Sequence, residues 1–250
     1  MINDLIGKRK SELGFSENKA IPISSILGLN IKIFRTFKDQ PLFLGENLTL
    51  LSGRNGTMKT TLMGLLAHSF SSDAKDAFGN DLKTKLGSVF RLSSEYDKKD
   101  YSYDLVLRTS DDSVLSEPVS FYYVAGKTQR HRIVVSGNED GDGNFQYNTS
   151  FLNLKRLFPL VDTQAAPATD SSISLSESEA VDLKDFYETV FPSSEYEAFE
   201  PVHHQKMKTT FALTGTAAKY DWQTISSGED NLGAIFNRLL GFQRAFTPKQ

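Results

Sequence analysis

A short glycine-containing loop is the part of the sequence whose residue types and spacing best suit chemistry. Gly53 and Gly56 let the chain turn tightly, so that backbone N–H groups and the positive end of a following helix converge on an anion. In such a loop Lys59 would reach the β- and γ-phosphates as a point charge, and the Thr60 hydroxyl would hold Mg²⁺. Met58 stands where the strict motif G-x-x-x-x-G-K-[ST] has glycine. The spacing predicts a phosphate-binding loop, with a plain turn before a lysine as the alternative.

The loop needs a strand before it and a helix after it. Residues 48–51 form an apolar run that predicts the strand. Residues 62–70 carry apolar side chains on more than one side, which is typical of a helix buried against a sheet. Upstream, residues 27–33 alternate between two faces as a half-buried strand does, and residues 41–44 predict a further strand. The local context therefore agrees with the motif.

The rest of the chain contains several β-like runs. Most of them follow the predicted loop helix, and turn residues rich in Gly, Asp and Asn separate them. This pattern predicts a mainly antiparallel sheet inserted after that helix. The runs that predict this sheet are residues 88–92, 101–108, 118–125 and 130–136, and residues 150–154, 208–213 and 218–222 predict three further strands.

The sequence also indicates how the chain is divided. Small, polar residues around a proline predict a linker, and Ser176 or Ser178 caps a predicted helix that ends near Val190. We therefore expect an N-terminal arm (1–20), a core with the phosphate loop and the antiparallel strands (21–162), the linker (163–176) and a helical segment (177–250).

A serine-glycine turn near the C-terminus is the second site-like element. Ser226 or Ser227 caps a helix whose apolar residues recur at helical spacing through residues 232–240. Glu229 suits its first turn. The simplest interpretation is a well-capped amphipathic helix. Its N-terminus would nevertheless present free N–H groups and a hydroxyl, which is the chemistry of an anion site.

Composition limits the classes of function. The chain has 250 residues, a net charge of -3 and no cysteine, which excludes disulfides, thiolate zinc sites and a global basic field for nucleic acid. Two short basic segments, residues 127–132 and 206–208, are expected to be solvated strand edges. The sequence shows neither a secretory signal nor an apolar run long enough for a bilayer, so we expect a cytoplasmic protein without a membrane partner.

Three motifs together resemble a known family. Residues 33–39, the loop at 53–61 and residues 226–229 occur in the order seen in ABC-type head ATPases of the SMC, RecF and OLD kind. The sequence is similar in particular to bacterial AAA-family ATPases of that branch, several of which belong to anti-phage defence systems. The resemblance implies an α/β P-loop NTPase fold of ABC-ATPase head type, with a mixed sheet, an antiparallel β portion and flanking helices, incomplete at the C-terminus.

The resemblance also implies roles for individual residues. ATP and Mg²⁺ are the implied cofactors, and a homodimer with nucleotide at its interface is the implied assembly. Ser226 and Gly228 of one subunit would bind the γ-phosphate of a nucleotide held by the other, while Arg35 would lie near the nucleotide in cis. The residues implied to cradle ATP are Gly53, Asn55, Gly56, Lys59, Thr60 and Thr61, with Thr60 on the metal.

The sequence departs from the family in one feature that bears on ATP hydrolysis. Such heads carry a strand ending in Asp-Glu and a switch histidine after the signature helix, and this sequence ends at Gln250. We therefore expect an N-terminal portion or a truncated variant that binds ATP better than it hydrolyses it, as a switch for an effector nuclease or a DNA-processing partner. The alternative is a degenerate, non-catalytic interaction module that keeps only the loop as a turn. A P-loop kinase of small molecules lacks a recognisable arginine lid.

Overall fold

The fold is mixed α/β with a mostly antiparallel sheet and a few helices, as the sequence predicts. Contacts divide the chain into two compact units: unit 1 is Met1–Ser72 with Lys83–Phe151, and unit 2 is Asp73–Leu82 with Leu152–Gln250. The computed structural model describes residues 5–125, 130–137, 143–153, 157–158, 168–192, 196, 198–204, 208–214 and 225–246.

Unit 1 is built on a five-stranded antiparallel sheet with the order β2-β1-β4-β5-β6. A short parallel pair, β3 with β7, lies outside that sheet. Two 3₁₀ turns, Lys10–Leu13 and Asn18–Ala20, precede the first strand. The elements are β1 (Ile23–Phe34), β2 (Phe37–Phe43), α1 (Lys59–Ala67), β3 (Phe70–Ser71), α2 (Leu86–Val89), β4 (Tyr101–Thr109), β5 (Val114–Val124), β6 (Arg130–Val135) and β7 (Phe145–Gln146).

The alternation read from the sequence gives the sheet of unit 1 its buried face. Leu29 and Ile31 of β1 are buried, whereas Asn30 between them is half-buried and Lys32 after them is exposed, which confirms the predicted strand. Leu65 of α1 and Phe121 of β5 belong to the same core, so α1 packs on this sheet. The runs predicted at 101–108, 118–125 and 130–136 are strands β4, β5 and β6.

The strand predicted just before the loop is wrong. Residues 48–51 have no strand conformation, and Leu48 and Leu50 are each 86% exposed. A strand needs a neighbour for its backbone hydrogen bonds, and none of the described strands pairs with this segment. The loop in this structure is therefore entered from a segment without regular secondary structure.

Two further β predictions in unit 1 are also wrong. The run predicted at 88–92 overlaps the helical turn α2, in which Phe90 N–H donates to Leu86 O at 2.9 Å. Val89 packs so closely on Gly64 of α1 that a Cβ at position 64 would collide with it. Tertiary packing thus overrides the local β preference. Residues 150–153, the described part of the run at 150–154, form no strand.

Unit 2 packs two helices against a three-stranded antiparallel sheet with the order β10-β9-β8. Helix α3 begins after a capping box at Ser176 and helix α4 is amphipathic, so both helix predictions are confirmed. The run predicted at 208–213 is strand β10, whereas residues 163–167 and 218–222 lie outside the described residues. The elements are β8 (Ala168–Thr169), α3 (Glu177–Val190), β9 (Ala198–His204), β10 (Lys208–Thr214) and α4 (Ser227–Phe246).

No helix within the described ranges has both the length and the apolar character that crossing a bilayer requires.

Candidate functional site

Lys59 folds back over the glycine loop that precedes it. Its Nζ donates to Gly53 O at 2.8 Å and to Arg54 O at 2.7 Å. Thr57 Oγ1 donates to the same Arg54 carbonyl at 2.8 Å. The loop is therefore closed on itself by hydrogen bonds, and an ammonium group lies within its curve at the first residue of α1.

Two positions of the loop have left-handed backbone conformations. Gly56 has φ of 83° and Met58, the N-cap residue of α1, has φ of 60°. A side chain at such a position costs about 1–2 kcal/mol, which is why glycine suits it. Position 58 is the one at which the strict motif has glycine, and Met58 occupies it in a left-handed conformation that is strained for a residue with a side chain. Thr36 Oγ1 donates to Met58 Sδ at 3.4 Å and holds this side chain in place.

The other predicted nucleotide contacts lie around the same turn. Asn55 at the tip of the loop and Thr60 in the first turn of α1 are exposed, and Thr61 is half-buried. The first turn of a helix has N–H groups without an intrahelical acceptor, and these carry the positive end of the helix dipole. The structure thus brings Gly53, Asn55, Gly56, Lys59, Thr60 and Thr61 together at one exposed turn of unit 1.

Arg35 lies in the β1–β2 turn, next to the residue that holds Met58. Its Nε and Nη2 pair with both carboxylate oxygens of Asp97 at 3.1 Å, and Nη2 also donates to Arg91 O at 2.9 Å. Tyr101 Oη donates to Asp97 Oδ1 at 2.7 Å. The guanidinium predicted to lie near a nucleotide is engaged by a carboxylate that sequence reasoning missed, because Arg35 and Asp97 are far apart in the chain and share no motif.

Asp97 is held in its charged form. Burial raises the pKa of this carboxyl, but hydrogen bonds from Arg35, the Ser93 N–H and Tyr101 outweigh burial and lower the pKa to about 2. Burial and the hydrogen bond to Asp97 raise the pKa of Tyr101 to about 12. The Arg35–Asp97 pair therefore stays intact over the whole physiological pH range.

We expect Asp97→Asn to change the acid sensitivity of unfolding. Because folding lowers the pKa of Asp97 from 3.8 to about 2, its stabilising effect is complete above the ordinary pKa and is lost as the pH falls through that window. The free energy of unfolding in urea should thus differ most between wild type and Asp97→Asn above about pH 4, and the difference should shrink towards about pH 2. A difference between wild type and Asp97→Asn that stays constant from about pH 6 to about pH 2 would contradict the prediction.

The serine-glycine turn lies in unit 2 and forms a capping box at the start of α4. Ser226 Oγ accepts from Glu229 N–H at 3.2 Å, and Ser226 N–H donates to Glu229 Oε2 at 3.0 Å. Ser226 and Gly228 are both exposed. A Cβ at Gly228 would make only ordinary contacts, at 3.7 Å from Phe191 and Ser226, so packing does not require glycine here. The turn has the structure of a helix cap with an accessible glycine.

Two features hold α4 against strand β10: a buried charge pair and a close contact between their backbones. Lys208 Nζ lies 2.5 Å from Asp230 Oδ2, and both side chains are buried. Lys208 was expected on a solvated strand edge, so that interpretation is wrong: its partner on α4 draws it into the core. Gly233 is packed so tightly that a Cβ there would collide with the Phe211 carbonyl of β10. The hydroxyl of Tyr187 lies 2.7 Å from Glu229 O, next to the cap.

Among the described residues, no group of three or more His, Cys, Asp or Glu side chains could hold a metal ion. The sequence matches no protein-family model and no curated protein. The glycine loop of unit 1 and the capped turn of unit 2 are therefore the two candidate functional elements.

Proposed function

We propose that the loop at 53–61 binds Mg-ATP and that the chain acts as the nucleotide-binding head of an ATPase similar to the ABC, SMC, RecF and OLD type, of the bacterial AAA-family kind found in anti-phage defence. The observation that carries the proposal is the position of Lys59. Its ammonium is held by Gly53 O and Arg54 O, inside the loop and at the N-terminus of α1. A phosphate oxygen is a stronger acceptor for an ammonium than these neutral carbonyls are.

The residues at the turn fit the triphosphate of ATP. Gly53 and Gly56 leave the backbone open to phosphate oxygens, and Lys59 exchanges its carbonyl partners for the β- and γ-phosphates. The exposed hydroxyl of Thr60 is available to Mg²⁺, which neutralises phosphate charge when it is bound. Thr61 and Asn55 complete the set. These residues account for the binding of Mg-ATP. In heads of this kind, hydrolysis of ATP depends on carboxylates that follow the signature helix.

Binding would act as a switch through dimerisation. In this proposal Ser226 and Gly228 of one subunit contact the γ-phosphate on the loop of the other, and their exposure leaves them accessible to a second copy. Arg35 adjoins the nucleotide of its own subunit through the turn that holds Met58. ATP-dependent assembly would then be passed on to an effector nuclease or a DNA-processing partner.

Removing the ammonium of Lys59 tests nucleotide binding. We expect Lys59→Ala to weaken the binding of Mg-ATP by about 10- to 150-fold, because a hydrogen bond to a charged group is worth about 1.5–3 kcal/mol. Isothermal titration calorimetry measures the affinity. Met58→Gly restores the strict motif and should bind at least as well as wild type, and Lys99→Ala removes an exposed lysine as a matched control. Equal, negligible affinity in wild type and Lys59→Ala would overturn the proposal.

Ser226→Asp separates the trans role from helix capping. Aspartate caps a helix as well as serine does, so the free energy of unfolding should stay within about 0.5 kcal/mol of wild type. Its negative charge would repel the γ-phosphate of the partner, so ATP-dependent dimerisation, measured by light scattering, should be lost. Ser226→Thr keeps both a cap and a hydroxyl and serves as the control. A dimer that survives Ser226→Asp would contradict the trans role.

A second candidate function is a non-catalytic interaction module. Leu48 and Leu50 are each 86% exposed directly before the loop, and large apolar side chains at the surface favour protein contacts. In this reading the loop is a structural turn closed by Lys59. Wild-type protein that binds no Mg-ATP, yet loses self-association in Leu48→Ser/Leu50→Ser, would favour this function over the first.

A further inference from the structure

A cavity of about 290 Å³ lies in unit 1 at the C-terminal end of α1. His68, the C-cap residue of α1, is one of its lining residues. The loop of the proposed nucleotide site adjoins the opposite end of this helix, so the cavity does not belong to that site. Its other lining residues are apolar (Leu86, Ile133), basic (Lys83, Lys85) or polar without charge (Thr84, Asn144).

The imidazole of His68 offers a buried hydrogen-bond acceptor. His68 is 4% exposed, and its Nε2 lies 3.0 Å from the hydroxyl of Tyr103. That hydroxyl also lies 2.7 Å from Leu65 O, which can only accept a hydrogen bond, and we therefore assign the hydrogen of the ring to Nε2. Nδ1 is then a bare acceptor, and it has no partner within the part of the chain that the structure describes. A buried polar atom without a partner is rare in proteins and is one sign of a ligand or water site.

Thr84 adds a second unsatisfied group to the same cavity. Its side chain is buried, and Oγ1 lacks a hydrogen-bond partner among the described residues. Two such atoms on residues of one cavity, beside the apolar side chains of Leu86 and Ile133, are the pattern of a ligand pocket: an apolar wall with few polar groups that fix orientation.

The rim of the cavity is positively charged. Lys83 and Lys85 flank Thr84 and are exposed, and Lys83 Nζ also donates to Ser71 Oγ at 3.2 Å. Two ammonium groups at the mouth attract an anion, and the neutral acceptor further inside selects a ligand that carries an N–H or O–H donor.

We propose that this cavity binds a small organic anion with an apolar body. The carboxylate or phosphate of the ligand faces Lys83 and Lys85, its body packs on Leu86 and Ile133, and an O–H or N–H group donates to His68 Nδ1. The proposal is independent of nucleotide binding, because none of these residues belongs to the glycine loop.

The first test uses 4-hydroxybenzoate as the probe on the full chain with ¹³C-labelled Ile and Leu methyl groups. We expect saturable NMR shifts of the Ile133 and Leu86 methyl groups at millimolar probe. Benzoate lacks the donor and phenol lacks the carboxylate, so each should bind at least about threefold more weakly. Shifts that do not saturate, or equal affinity for all three compounds, would overturn the proposal.

The second test uses lysine variants at exposed positions and one variant, Ile133→Trp, at a half-buried position that lines the cavity. Lys83→Gln/Lys85→Gln should weaken 4-hydroxybenzoate about tenfold, whereas the matched control Lys98→Gln/Lys99→Gln should leave the dissociation constant unchanged. Ile133→Trp fills the cavity and should abolish the shift of the Leu86 methyl groups. Equal affinity in the two lysine variants, or binding that survives Ile133→Trp, would show that the probe binds elsewhere.

Discussion

Lys208→Met should destabilise unit 2 by about 3–5 kcal/mol, because it leaves the carboxylate of Asp230 in the core without its ammonium partner. The side chains of Lys208 and Asp230 are 4% and 1% exposed, so water cannot replace the lost partner without opening the core. Hydrogen exchange measured by mass spectrometry on peptides from β10 and α4 reports the stability of this unit within the full chain.

Two controls make this prediction specific. Lys208→Met/Asp230→Leu removes both charges and should recover most of the lost stability, because a buried pair replaced by apolar side chains is often neutral. Lys184→Met breaks an exposed pair with Glu188 on α3 and should cost less than about 1 kcal/mol. If Lys208→Met cost no more than Lys184→Met, the buried pair would not be a main support of α4.

The second large effect is a loss of stability in mild acid that depends on His68. Burial lowers the pKa of His68 from 6.5 to about 4. Above the ordinary pKa the ring is neutral in both folded and unfolded chains. As the pH falls from about 6.5 to about 4, only the unfolded chain gains the proton, so unfolding becomes easier by about 3 kcal/mol. Urea unfolding followed by far-UV circular dichroism across this range measures the effect.

His68→Gln isolates the contribution of this one ring. The variant keeps a side-chain donor for Tyr103 but cannot titrate, so its free energy of unfolding should fall less than that of wild type between about pH 6.5 and pH 4. Every other acid-sensitive group is common to both proteins and cancels in the comparison. Parallel curves for the two proteins would mean that His68 is protonated as easily in the folded chain as in the unfolded one.

Periodic patterns predicted the elements whose packing agrees with their local preference. Helix α3 has a capping box at Ser176 and an apolar stripe, and α4 repeats that design from Ser226, so both could be located from sequence. Strands β4 to β6 alternate around a buried face and were likewise predicted. The run at 48–51 has the same apolar character but no neighbouring strand, and α2 forms where Val89 meets Gly64. The missing partner strand and the Val89–Gly64 contact both depend on residues outside the segment, so no pattern within the segment could predict them.

The candidate site shows the same limit. The spacing of Gly53, Gly56 and Lys59 identified the residues of the loop, and the structure places them at one turn. The sequence pattern did not indicate that Asp97 would pair with Arg35, or that Lys208 would be buried against Asp230. Both pairs join segments that meet only after folding. Charge pairing of this kind is decided by tertiary structure and leaves no spacing rule in the sequence.

Gly233 also determines how unit 2 responds to mechanical load. Because its backbone lies directly against the carbonyl of Phe211, with Thr210 Oγ1 and Tyr187 Oη beside it, α4 and β10 approach each other closely at this point. We therefore expect a force applied at Ser226, the capping residue of α4, to be carried to the sheet with little deformation. We therefore expect the capped turn and strand β10 to move together as one rigid body.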